Sequence, residues 1–373
     1  MKQHSIAATA ATIGILPLML APLARLDFLY YGVLLILPLL RFRRAENASI
    51  LLLLGLICAG IGILLNNPLP IFRPWERLGM FALLLAGIGP LFGGIYNAEL
   101  SRRLFQHLAA CCLIVGALSA CGAAIGLNLG AGQFSGLTPH SMILGPVAAI
   151  GFLYAMHRIM HRYAESGTIP ILLFIAAGAC FISILLASSR SALLATGAGT
   201  LYLILHLPRG RSMMLLLGGL GCLLLLPFSG ELLEGILHKM DSAREAGSIF
   251  SSRSELWEDR WQEFAEHPFF GVGFASQSII TFDHSLQSGS IEPGSSYLGC
   301  LSMLGLTGTL PLLAVLAHAL RRGMQATPFP PLAVCVLIFF CIHMIFEGYL
   351  ISAGSILCVL LWSCISASLN PQT

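Results

Sequence analysis

Apolar runs of about 20 residues, the length a helix needs to cross a ~30 Å hydrocarbon core, alternate with short polar punctuation along most of this chain. They lie near residues 5–23, 27–40, 48–66, 78–96, 107–128, 141–158, 169–187, 191–207, 213–229, 296–320, 331–350 and 354–369. A helical run satisfies its own backbone hydrogen bonds in lipid, so the pattern predicts an all-α polytopic membrane protein, not a barrel. The expected count is about 12 transmembrane helices. The run opening near Phe28 is short for a span, and eleven is the alternative. The first run follows only Lys2 and His4 and reads as a signal-anchor.

The alternation fails once. Residues 230–295 form a long polar stretch rich in Arg, Glu, Trp and His, and loops carried on a rigid frame are where functional groups concentrate. The chain therefore divides into spans one to nine (1–229), a large outer loop with short helices (230–295) and spans ten to twelve (296–373). Ser252-Arg253-Ser254-Glu255 matches the capping box, and His267-Pro268 supplies a stop signal, so a helix is expected from about Arg253 to Glu266. Phe269-Phe270-Gly271-Val272-Gly273-Phe274 reads as a glycine-hinged apolar turn against the membrane surface. Its GxG follows no strand and is not a dinucleotide fingerprint.

Composition agrees with this class. The chain is 57% hydrophobic and 10% charged, with a mean hydropathy of +0.85, against roughly 25% charged residues in soluble domains. The net charge of +3 is spread over scattered loops, which excludes a nucleic-acid partner. All 11 cysteines fall in or at the edge of apolar runs without a CxxC, the usage of packing residues. No cluster has metal-ligand spacing, so neither a metal nor another cofactor is expected.

Charge also orients the chain. With twelve spans, alternate connections collect Lys2, Arg41, Arg43, Arg44, Arg102, Arg103, Arg158, Arg162, Arg209, Arg211, Arg321 and Arg322. The opposite short connections hold only Arg25, Arg73, Arg77 and Arg190. Basic residues in short loops mark the cytoplasmic side, which places both termini inside and residues 230–295 outside a bacterial inner membrane. No ATP is present there, so synthesis must use a pre-activated donor.

Several polar groups stand out on that outer side. Arg190, in Ser188-Ser189-Arg190-Ser191, opens an apolar helix; it either snorkels to lipid headgroups or faces an anion at the helix N-terminus. Arg253, Trp257, Arg260, Trp261 and Phe264 share one helical side, which suits a sugar phosphate or docks its rings at the interface. Glu292 would be a general base if partly desolvated; it, His284 and His140 are otherwise ordinary loop residues. His343 and Glu347, at i and i+4 in the eleventh run, form either a functional ionisable pair or a mutual hydrogen bond.

Four stretches in order carry a resemblance: Ser189-Arg190-Ser191-Ala192-Leu193-Leu194; Arg253 and Trp257 ahead of His267-Pro268-Phe269-Phe270-Gly271-Val272-Gly273-Phe274; Ser296-Tyr297-Leu298; and Leu304-Gly305-Leu306-Thr307-Gly308. The set resembles the O-antigen ligase and polymerase superfamily of bacterial polysaccharide assembly, and Thr138-Pro139-His140-Ser141 is similar to the polar turn found earlier in such proteins. The resemblance implies a metal-independent inverting glycosyltransferase acting on undecaprenyl-diphosphate-linked glycan. Membrane lipid and a chain-length regulator or flippase would be its neighbours. Arg190 and Arg253 would bind the diphosphate, with Arg260, Trp257 and His140 contributing to the substrate site. Ligases of the family carry a His-Asn pair before the aromatic-Leu that opens the next span. Ser295-Ser296 stand there in this chain, which makes Glu292 or His284 the proton acceptor and favours polymerisation of exopolysaccharide or O-antigen repeats over transfer to lipid A-core. A transporter or flippase is the rival class, for which only His343 and Glu347 speak.

Overall fold

The computed structural model describes residues 2–41, 47–92, 95–130, 133–168, 170–206, 251–279, 288–325 and 332–369. Among these residues there are helices and turns but no strands. In chain order the helices are α1 (Lys2–Ile15), α2 (Phe28–Arg41), α3 (Asn47–Asn66), α4 (Pro74–Gly87), α5 (Ile95–Ala123), α6 (Ser141–Ser166), α7 (Ile171–Leu186), α8 (Arg190–Leu205), α9 (Ser251–Glu266), α10 (Ser296–Met324), α11 (Leu332–Phe346) and α12 (Ile356–Leu369). All but α9 coincide with expected apolar runs. The run at 213–229 and the first part of the polar stretch lie outside the described residues.

Among the described residues, four helices are long and apolar enough to cross a membrane alone: Ala48–Asn66, Ala98–Ala123, Ser141–Tyr163 and Ser296–Met324. Six more are apolar but shorter, among them Phe28–Leu40 and Ile356–Leu369. At ~1.5 Å per residue a 14-residue helix reaches only about 21 Å. Two boundaries differ from expectation. Helix α4 starts at Pro74 and ends at Gly87, because Pro90 disfavours helical backbone just before it. Helix α5 begins upstream at Ile95 and takes in a polar stretch, where Glu99 pairs with Arg102 and Arg103 one turn on.

The hub of the bundle is α12, buried along its whole length, as befits a helix that is apolar all round. It packs on α5, α10 and α11. Two of its polar side chains are held by hydrogen bonds: Trp362 Nε1 donates to Leu350 O at 2.9 Å, and the Ser366 and Ser101 hydroxyls meet at 2.7 Å. Helix α8 packs on α11, and α10 on α3.

Helix α10 is broken inside its span. Gly305 has φ +62°, ψ −168°, far from helical values. A break in lipid leaves backbone groups that must find partners, and the turn after α9 supplies them. Val272 N donates to Ser302 O (2.8 Å) and Gly273 N to Met303 O (3.2 Å). In return Leu306 N donates to Pro268 O (2.8 Å) and Thr307 N to Phe269 O (3.1 Å). Asn66 at the end of α3 closes the joint, donating from Nδ2 to Gly271 O at 2.7 Å. The Phe-Phe-Gly-Val-Gly turn is thus not laid on the surface as expected. It enters the bundle, reaching a level about 13 Å along α10 from its start.

The glycines are required by that approach. A Cβ on Gly305 would lie 2.3 Å from the Phe269 carbonyl carbon, and one on Gly271 would lie 2.4 Å from the Met303 carbonyl carbon. Both residues also have positive φ. Gly305→Ala or Gly271→Ala should each cost at least about 1–3 kcal/mol in backbone strain alone, read as a lower melting temperature of the detergent-solubilised protein. Gly79→Ala in α4, where an added Cβ meets nothing within 4 Å, should melt at or above the parent temperature.

Candidate functional site at one end of the bundle

Contacts gather the connections between α1 and α2, α3 and α4, α5 and α6, α11 and α12, and the segment leading into α10 at one end of the bundle. Ala21 N donates to Leu137 O (2.9 Å), Arg77 Nη2 to Gly289 O (2.6 Å) and the Tyr30 hydroxyl to Ala353 O (2.5 Å). The expected site residues among those described lie at this same end.

Arg253, in the first turn of α9, reaches across to the end of α11. Its Nη2 meets Glu347 Oε1 at 2.6 Å and its Nη1 donates to Gly294 O at 3.2 Å. Trp257 Nε1 donates to the same carbonyl at 3.1 Å, and its ring lies 6.4 Å from Phe346. Gly294 holds φ +68°, and a Cβ there would crowd Leu256 Cβ at 3.1 Å and the Trp257 ring at 3.3 Å. The predicted His343–Glu347 partnership is replaced by two others: His343 Nδ1 lies 3.0 Å from the Tyr349 hydroxyl, and Glu347 takes Arg253. Spacing placed them on one face but not against each other.

Ser295 and Ser296 hold the C-terminal end of α11. Ser295 Oγ donates to Met344 O (3.4 Å) and Ser296 Oγ to Glu347 O (2.6 Å), and Ser296 Oγ also accepts from Tyr349 N (3.0 Å). These carbonyls are among the groups a helix end leaves unpaired. The two serines therefore hold the backbone on either side of Glu347 in place.

Arg190 is the first residue of α8, after Ser188 at φ +51° and Ser189, whose Oγ accepts from Ala192 N at 3.4 Å. Its Nη1 is buried with no hydrogen-bond partner among the described residues. Helices α8 and α11 run antiparallel, in register where a Cβ on Gly199 would lie 3.0 Å from Cys335 O. Counting about 14 Å back along α8 and forward along α11 brings Arg190 level with Met344, beside the turn that holds Glu347. His140 caps α6, its Nδ1 accepting from Met142 N at 3.1 Å. Glu292 is exposed, with no hydrogen bond or ion pair to a described residue. His284 lies outside the described residues.

Arg260 was expected on the substrate face with Arg253, two turns away. It is 1% exposed and paired with the fully buried Glu263 at 2.8 Å. Burial lowers its pKa and Glu263 opposes the shift. Glu263 Oε1 accepts from Ser278 N (2.6 Å) and Ile279 N (2.9 Å), and Oε2 from Ser302 Oγ (2.5 Å). This network fastens the segment after the turn onto α10. Trp261, next along α9, is 56% exposed, so the expected shared face is divided between core and solvent. Glu263 escaped sequence reasoning, although its i,i+3 spacing from Arg260 was the available signal.

A cavity of about 910 Å³ opens beside these groups, large for the roughly 300–1,000 Å³ range of ligand sites. Its wall includes Pro293, Ser296 and Gly348, the immediate neighbours of the Arg253–Glu347 contacts. Tyr31 from α2, Arg73, Glu76 and Arg77 from the start of α4, and Ser352 and Gly354 also line it. The two arginines had served only as markers of sidedness. Among the described residues, no group of three or more His, Cys, Asp or Glu is arranged to hold a metal ion.

Removing one partner of a buried ion pair leaves an uncompensated charge, which costs about 3–5 kcal/mol. Glu263→Ala and Arg260→Ala should therefore lose folded, monodisperse protein on size exclusion, whereas Trp261→Ala on the exposed side should not. Residues 171–313 match the family model described as O-Antigen ligase, a stretch running from the start of α7 past the break in α10 and holding Arg190, Arg253 and the turn. No curated protein matches the chain. Members of that family are glycosyltransferase-like enzymes, ligases or polymerases. Residues 171–313 of this multi-pass membrane protein are thus similar to the O-antigen ligase family.

Proposed function

We propose that the protein is an inner-membrane glycosyltransferase with about twelve spans and both termini cytoplasmic, polymerising undecaprenyl-diphosphate-linked repeat units of exopolysaccharide or O-antigen at the outer face. The donor's diphosphate lies between Arg190 and Arg253, and the acceptor glycan enters the cavity beside Pro293, Ser296 and Gly348. The observation that supports this most is Arg190: a guanidinium nitrogen buried without a partner among the described residues, on a level with Arg253. A buried guanidinium nitrogen left without a hydrogen bond is costly, and a diphosphate oxygen relieves that cost. As the anomeric carbon–oxygen bond breaks, charge grows on the leaving diphosphate, and groups already aimed at it stabilise the transition state. The acceptor hydroxyl attacks from the opposite face, which inverts the anomeric centre without a metal.

One feature favours transport. Interrupted helices near the bilayer midplane build ion and substrate sites in transporters, and α10 is interrupted at Gly305. Here, however, Ser302, Met303, Leu306 and Thr307 spend their backbone groups on the turn at 268–273. That use supports a structural joint and not a transport site.

Arg190→Ala and Arg253→Ala should each leave membrane insertion intact and reduce surface polysaccharide to single-repeat products, read by sizing the polymer from cells expressing matched protein levels. Normal chain lengths in both variants would remove the diphosphate site. Gly354 stands at the cavity edge with nothing within 4 Å of an added Cβ. Gly354→Trp should block polymer growth while leaving undecaprenyl diphosphate binding unchanged, and Gly354→Ala should behave as the parent.

A further inference from the structure

The ion pair between Arg253 and Glu347 raises a question of charge. Arg253 is the group proposed to receive the diphosphate, yet its Nη2 is already held at 2.6 Å by the Glu347 carboxylate. A diphosphate arriving there would bring two or more negative charges next to a carboxylate, and like charges disfavour one another's ionised forms. The two anions therefore compete for the same guanidinium, and the diphosphate carries the larger charge. The Glu347 side chain is only 17% exposed, so it does not simply swing into bulk water. Its backbone is fixed by Ser296, which bonds Glu347 O and accepts from Tyr349 N. Ser296 and Gly348, on either side, form part of the cavity wall. A carboxylate displaced from Arg253 therefore stays local, and the open volume next to it is the cavity.

We infer that Glu347 is the general base of the reaction, held inactive by Arg253 until the donor's diphosphate takes its place. This rests on the donor site proposed above and adds an order of events to it. In the resting state the guanidinium stabilises the ionised carboxylate and makes it a weak base. Donor binding exchanges diphosphate for carboxylate on Arg253. Beside the diphosphate and away from its cation, the carboxylate now favours its protonated form and becomes a better proton acceptor. The acceptor hydroxyl oxygen then bonds to the anomeric carbon, and the bond from that carbon to the diphosphate oxygen breaks with its electron pair going to the diphosphate. The hydroxyl proton passes to Glu347. Departure of the diphosphate returns Arg253 to Glu347, which releases the proton to water. The base is thus strengthened only when an activated sugar is in place. Glu292, exposed and without a partner among the described residues, has no such coupling.

The test separates two quantities that a merely structural ion pair would move together. Glu347→Gln keeps the size of the side chain but removes both the charge that competes for Arg253 and the proton acceptor. It should bind undecaprenyl diphosphate, measured with purified protein in detergent, as tightly as the parent or more tightly. Its yield of long polymer in cells should fall by about 10²–10⁴-fold, the range for loss of a general base. Glu347→Asp, which retains the charge, should keep a measurable fraction of the yield. Polymer yield retained in Glu347→Gln, or binding and polymer lost together in both Glu347→Gln and Glu347→Asp, would overturn the role of Glu347. Failure of the parent protein to bind undecaprenyl diphosphate at all would instead sink the donor site itself.

Discussion

The fold turns on the demand that backbone groups inside a bilayer find partners. Helix α10 gives up its ladder at Gly305, and four of the groups around the break are taken up by a turn from the polar stretch. The same exchange seats α9, because the turn follows directly from its C-terminus at Glu266. The Arg260–Glu263 network and Asn66 of α3 then fix the turn from two further directions. With α9 so held, Arg253 and Trp257 stand over the end of α11. The position of the candidate site is thus a consequence of how a break in a membrane helix is closed.

Much of this architecture was legible in the sequence because span length and polarity are read directly from run length. The capping pattern at Ser252 and the stop at His267-Pro268 bounded α9 within two residues, since local backbone chemistry decides helix ends. What periodicity could not supply was the environment along one face. Arg253 and Arg260 share a side of α9, but α10 and the segment at 276–279 cover only the second, so one arginine faces the site and the other is core. In the same way His343 and Glu347 share a side of α11, yet the partner of Glu347 comes from a residue 94 positions away. Arg73 and Arg77 were legible as charges but not as cavity residues, because that wall forms only when α4 meets the α11–α12 connection.

The serines at 295 and 296 illustrate how one position constrains chemistry at another. They spend their hydroxyls on the carbonyls at the end of α11 and so cannot also act on a substrate proton without releasing that end. The acidic group they hold in place, Glu347, has a cation beside it, and its neighbours Ser296 and Gly348 line the cavity.

The threading of the 268–273 turn into α10 bears on how such proteins diversify. A recognition segment that simply lay over the bundle could be exchanged between relatives as a cassette. Here the segment shares hydrogen bonds with residues 302–307 and with Asn66, so any swap must carry these complementary surfaces with it. The turn and its two docking partners can therefore change only together.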